Sequence, residues 1–224
     1  MAIRVISLGL EMPLKIIHPQ HTEVMGAGLV LISSPPVQGP KRDLYTGQIA
    51  EEVALLSRSW GIIARETKHD PEDVSAGQVG YDFDKSVGAF VGEYGIKCII
   101  MIVGTSEPGI IIKGHPDDSV SEEILEIIRS GLEPHFSTNS STDSGTEHAG
   151  NGAAKVTDPG AEEAPSHRLP IVRLELGPEE RGFMKDQFVN DITDIIGLIN
   201  TRLGFSESTP RSGPGVSTDP DTTL

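Results

Sequence analysis

Few side chains in this chain can do chemistry, and their spacing narrows what each can do. Glu175 sits in the run Ile171-Val-Arg-Leu-Glu-Leu176. Alternation there puts Val172, Leu174 and Leu176 on one face and Ile171, Arg173 and Glu175 on the other. An acid near a strand end can act as a general acid or base, or it can pair with Arg173 or Arg181. Asp43 precedes an apolar helical stripe, where a carboxylate serves either as a helix cap or first-turn acid or as a ligand-binding group. His69-Asp70 stands before Pro71 and fits a turn as well as it fits a pocket wall. Gly104-Thr105 ends an apolar run, where glycine permits close approach of a ligand or a tight turn.

Metal-ligand spacings are sparse. His18-Pro-Gln-His21 places two imidazoles at i and i+3, but Pro19 disfavours a helix there and no neighbouring acid is obvious. His115-Pro-Asp117-Asp118 reads as a solvated loop, and His135, His148 and His167 flank or occupy a polar tract. No metal ligand is expected among them. Cys98, the single cysteine, lies inside an apolar strand-like run and reads as a buried small hydrophobe. Phosphate loops of the Walker type, Gly-x-Gly-x-x-Gly, Gly-x-Ser-x-Gly and Cys-x-x-Cys are all absent from the sequence.

The 224 residues carry 18 Lys and Arg against 33 Asp and Glu, a formal charge of -15. A surface so negative repels phosphate backbones and argues against nucleic-acid binding. No apolar run approaches the roughly 18 residues of a membrane span. The N-terminal apolar stretch is short and has no small-residue cleavage site, so the expected location is cytoplasmic.

The elements that must position these groups alternate between strand and helix. Arg4–Leu10 and Leu14–Ile17 read as a hairpin, and Leu29–Ser34 as a strand buried on both faces. A helix over about 43–59 aligns Ile49, Val53, Leu56 and Trp60; another over about 82–94 aligns Phe83, Val87, Phe90 and Tyr94. Ile96–Val103 reads as the central strand, Ile110–Ile112 as a further one, and Ser119-Val-Ser-Glu122 as a capping box before a helix. The last helix puts Phe188, Ile192, Ile195, Ile199 and Leu203 on one side. This pattern predicts one α/β domain over residues 1–205 with a mostly parallel or mixed sheet between helices. Its ligands are then expected beyond the strand C-termini, near 33–36, 65–69, 103–106 and 175–177. Residues 137–166 and 206–224 are rich in Ser, Thr, Gly, Pro and Asp; they read as a disordered insertion and a disordered tail.

The order of segments resembles the N-formylglutamate amidohydrolase family, within the wider zinc-carboxypeptidase-like group. The resemblance rests on Leu29–Pro35, Asp43-Leu-Tyr-Thr46, His69-Asp-Pro-Glu-Asp73, Ile96–Thr105, Glu107–Gly114 and the late strand with Glu175 followed by Arg181. It implies a three-layer α/β/α sandwich and a zinc ion held by histidines and an acid, with a late-strand glutamate as base and acid. Family members read roughly Pro-His-Gly-Gly where this chain has Pro35-Pro36-Val37-Gln38-Gly39, and Asp-Leu-His-Gly where it has Met101-Ile102-Val103-Gly104. The histidine positions thus hold Pro36 or Val37, and Val103. The expectation is a chain that has lost zinc-dependent hydrolysis and acts as a small-ligand-binding or interaction domain with no cofactor. Glu175 stands at the family's catalytic position, and Asp43, His69, Asp70, Gly104, Thr105 and Arg181 are expected to line the pocket for a small amino-acid or amide ligand. The alternative is an active metal-dependent amide hydrolase with a relocated zinc site, drawing on His69, Asp43 and His18 or His21.

Overall fold

Four buried parallel strands form the centre of the sheet, each an apolar run too short for a helix. They are β4 (Val30–Ser34), β5 (Trp60–Ala64), β6 (Cys98–Gly104) and β9 (Ile171–Leu176). The computed structural model describes residues 4–6, 13–36, 45–65, 76–114, 119–142 and 169–205. The remaining strands are β1 (Arg4–Ile6), β2 (Leu14–Ile17), β3 (His21–Met25), β7 (Ile110–Gly114) and β8 (Thr138–Thr142). All belong to one sheet in the order β1-β2-β3-β5-β4-β6-β9-β7-β8. β1, β2 and β3 run antiparallel to their neighbours, β7 runs antiparallel to β9, and β8 pairs parallel with β7. The sheet is therefore mixed around a parallel centre, as the alternating pattern predicts.

Helices cover both faces. On one side lie α1 (Thr46–Leu56), α3 (Ser119–Leu132) and α5 (Lys185–Arg202), packed on Val30, Ile32, Ile100, Ile102, Val172 and Leu174. Each lays an apolar stripe on the sheet: Ile49 and Val53; Ile124, Ile128 and Leu132; Phe188, Ile192, Ile195 and Ile199. On the other side α2 (Ala76–Tyr94) sets Phe83 and Phe90 against Leu31, Trp60, Ile62 and Ile99. Trp60 also stacks on Tyr94, with ring centroids 4.0 Å apart. The result is the expected three-layer α/β/α arrangement.

Asn200 of α5 ties this layer to the start of β4, accepting a hydrogen bond from the Leu29 N–H at 2.8 Å. The turn entering β4 uses Gly28 at φ 87, where any side chain would meet the Asn200 amide. The short helix α4 (Pro178–Arg181) begins with Pro178 in its first turn, as the sequence suggests.

Two strands correct the sequence reading. Thr138–Thr142, read as the start of a disordered insertion, forms β8 alongside β7 from Ile110↔Thr138 to Gly114↔Thr142. The rest of that insertion and the tail lie outside the described residues. His21–Met25, to which the sequence pattern assigns no element, is β3, bonded to β2 on one side and β5 on the other. Among the described residues no helix is long and apolar enough to cross a membrane.

Cys98 is fully buried on β6, and burial pushes its thiol up to about 12. A thiol so held offers no thiolate at neutral pH. In native protein it should resist alkylation by iodoacetamide over hours and react at once in strong denaturant; fast native labelling would contradict this burial. The folded value lies above the usual 9.0, so the unfolded chain loses this proton first. Stability from this group is complete below pH 9 and is lost progressively above it.

Candidate functional site at the strand ends

Glu175 faces the α2 side of the sheet, near the C-terminal ends of the parallel strands. Its alternation is as expected: Val172, Leu174 and Leu176 point into the larger core while Glu175 points away. In register, Glu175 lies beside Val103 on β6 and Ile111 on β7. One row back, Ser33, Met101, Arg173 and Lys113 follow one another across β4, β6, β9 and β7.

The Glu175 side chain is only 10% exposed, yet its charge is matched twice. Its Oε1 lies 2.9 Å from Lys113 Nζ and 2.9 Å from Arg173 Nε. The two cations are themselves 32% and 47% exposed and therefore remain reachable from solvent. Arg173 is one of the two partners that the sequence suggests; Lys113, on a different strand, is an addition that the structure makes. In the same row, two strands from Arg173, the Ser33 hydroxyl is fully buried and makes no hydrogen bond among the described residues.

Arg181 and Thr105, expected as pocket residues, connect two loops. The buried Arg181 donates from Nη2 to the Thr105 carbonyl at 3.0 Å and from Nε to the Gly177 carbonyl at 3.2 Å. Thr105 N–H donates to the Leu176 carbonyl, and Thr105 Oγ1 accepts from the Glu107 N–H. These bonds fix the end of β6 to the β9–α4 turn. Gly104 lies opposite Leu176 in the β6–β9 register and continues that attachment. Asp43, His69 and Asp70 lie outside the described residues.

Among the described residues, the positions where the resemblance implies zinc-binding histidines do not fit a zinc ion, and Val37 lies outside them. A catalytic zinc takes about three protein ligands from His, Cys, Asp or Glu. Val103 is buried and Pro36 half-buried, and neither side chain has a lone pair to donate. Among the described residues, the carboxylate opposite Val103 in register, Glu175, is paired with Lys113 and Arg173.

A different set of metal-type side chains does come together. β3 runs antiparallel to β5, so its first residue, His21, lies opposite Ala64 at the C-terminal end of β5. The tight β2–β3 turn brings His18 over His21, with rings stacked at 4.5 Å and 13° apart. Glu23, two residues beyond His21, points the same way. Its Oε1 lies 3.1 Å from His21 Nε2, and its Oε2 lies 3.1 Å from His18 Nε2. Burial opposes ionisation of Glu23, but hydrogen bonds and charge from the two histidines outweigh it and hold the carboxyl below its usual range. From sequence, Pro19 and the lack of an obvious acid count against this His-x-x-His pair, which enters only the alternative zinc site. Glu23 is that acid, and the missing signal was the hairpin.

No family model matches the chain, and no curated protein matches it. Among solved structures, a bacteriophage poly-gamma-glutamate hydrolase aligns with a TM-score of 0.49 at 12% identity, over 84% of this chain and 91% of that one. An N-acetylmuramoyl-L-alanine amidase of Nostoc punctiforme aligns with a TM-score of 0.44 at 10% identity, over 80% and 98%. The CwlD amidase of Clostridioides difficile, solved with the GerS lipoprotein, aligns with a TM-score of 0.47 at 12% identity, over 77% and 96%.

Proposed function

We propose that this chain binds a small N-acyl amino acid or amide at the C-terminal ends of β4, β6 and β9 and does not hydrolyse it there. The observation that carries this reading is the environment of Glu175: hydrocarbon from Val103 on one side and two cations on its Oε1. A general base for amide hydrolysis needs a water to deprotonate and an electrophile to polarise the carbonyl. Val103 supplies neither. The same arrangement suits recognition. Lys113 and Arg173 can take a ligand carboxylate through charge-assisted hydrogen bonds, and Glu175 can accept an amide N–H. In a chain of charge -15, a paired cation site also gives an anionic ligand a defined place to dock.

Calorimetric titration with N-formyl-L-glutamate and N-acetyl-L-glutamate tests the reading. Binding should weaken at least about tenfold, roughly 1.4 kcal/mol, in Arg173→Gln and again in Lys113→Gln. Binding indifferent to both changes, or no binding at millimolar ligand, would reject it.

A further inference from the structure

We propose that His18, His21 and Glu23 form a divalent transition-metal site of the zinc type, ligated by both Nε2 atoms and the Glu23 carboxylate. This goes beyond the ligand site at Glu175 and is independent of it. β3 and β9 are four strand steps apart in the sheet order (β3-β5-β4-β6-β9), roughly 19 Å at the usual strand spacing.

Three observations carry it. The first is distance. The three donor atoms lie within 4.8 Å of one another, and each imidazole is 3.1 Å from a carboxylate oxygen. Ligands at about 2.0–2.1 Å around a tetrahedral zinc stand roughly 3.3 Å apart, and the two histidine–carboxylate distances are close to that.

The second is the state of His18. Its Nε2 is buried and, apart from the 3.1 Å contact with Glu23 Oε2, meets no hydrogen-bond partner among the described residues. A buried polar atom left in that state is uncommon in folded proteins. A metal on its lone pair would satisfy it.

The third is rigidity. The turn that presents His18 is held by its own His18 N–H to His21 carbonyl bond at 2.9 Å. Arg65 grips it from the end of β5, through its N–H to the Gln20 carbonyl at 2.9 Å and its Nη1 to the His18 carbonyl at 3.1 Å. Glu23 has strand partners on both sides, Ile16 and Ile62. Ligands fixed in this way hold their geometry when the ion is absent.

The donor set selects the metal class. Two imidazoles and one carboxylate suit zinc, cobalt, nickel or copper, whereas magnesium and calcium require oxygen cages. Each histidine would bind as the Nδ1–H tautomer, with Nε2 free for the ion and Glu23 ionised. Three protein ligands leave one tetrahedral position for water or a further group.

The test is titration of chelator-treated, untagged full-length protein with zinc followed by calorimetry, and with cobalt followed by visible absorption. One equivalent of zinc should bind, and cobalt should give the intense ligand-field bands of a site with four or five ligands. Glu23→Gln and His21→Gln should each weaken zinc binding by at least the roughly 100-fold that outer-shell changes can reach. Circular dichroism confirms that these variants are folded. His135→Gln, which removes an exposed histidine paired with Asp191 elsewhere, should bind as the wild type does. Glu175→Gln should also bind unchanged, which separates this site from the strand-end site. Absence of binding, equal binding by folded Glu23→Gln and His21→Gln, or loss of binding in Glu175→Gln would each overturn the proposal.

Discussion

Gly26→Ala should lower the unfolding free energy by about 3 kcal/mol, at the upper end of what overpacking a closed site costs. Gly26 links β3 to β4 and lies against the α1–β5 turn. An added Cβ would stand 2.2 Å from the Ser59 carbonyl carbon, 2.3 Å from its oxygen and 2.6 Å from the Arg58 oxygen. These are backbone atoms, and they cannot swing aside. Arg58 is at φ 54, its carbonyl accepts the Ala27 N–H at 2.7 Å, and Ser59 N–H is bonded back to Ala54. Relief therefore requires separating β3 from β5, the pairing that also places Glu23 and His21. Gly197→Ala is the contrast: it sits in α5 with nothing within 4 Å of the added carbon. There alanine should stabilise by about 0.5–1 kcal/mol through helix propensity. Urea denaturation of the two variants checks both signs, and an unchanged midpoint for Gly26→Ala would show that the β3–β4 connection is not packed as described.

Phe188→Ala should cost about 3–5 kcal/mol, the range for emptying a buried aromatic site. Phe188 lies in the first turn of α5, fully buried, with its ring edge-on to Phe136 at 6.1 Å and 81°. It joins α5 to the α3–β8 connection over the sheet, and neighbours such as Ile192 and Leu132 are also fully buried and cannot collapse far into the space. Thermal denaturation reads the effect directly. A loss below 1 kcal/mol would mean that the α3–α5 layer is looser than its burial indicates.

The parts of the fold legible in the sequence are those whose signal is local. β4, β6 and β9 announce themselves because strands covered on both faces are nearly continuous apolar runs. α1, α3 and α5 do so because burial on one side leaves a stripe of period 3.6. β3 gave no such signal: of His21-Thr-Glu-Val-Met25, only Val24 is a fully buried apolar side chain, and the strand is held by backbone bonds to both neighbours. β8 contains no apolar residue at all, since an edge strand can form by backbone pairing alone.

The site divides along the same line. Glu175 and its facing were readable from alternation within one strand. Its cation Lys113 was not, because 62 positions separate the two and only the antiparallel β7–β9 register brings them together. Glu23 lies two residues from His21, yet its meeting with His18 depends on the β2–β3 turn, which the sequence pattern does not show.

The central claim concerns Glu175: it helps hold an N-acyl amino acid without cleaving it. Proton NMR of N-formyl-L-glutamate mixed with near-stoichiometric protein tests this most directly, because the formyl resonance reports binding and free formate reports hydrolysis in one spectrum. The account predicts a shifted or broadened formyl signal and no formate above the protein-free rate over a day. Steady formate release that disappears in Glu175→Gln would contradict it.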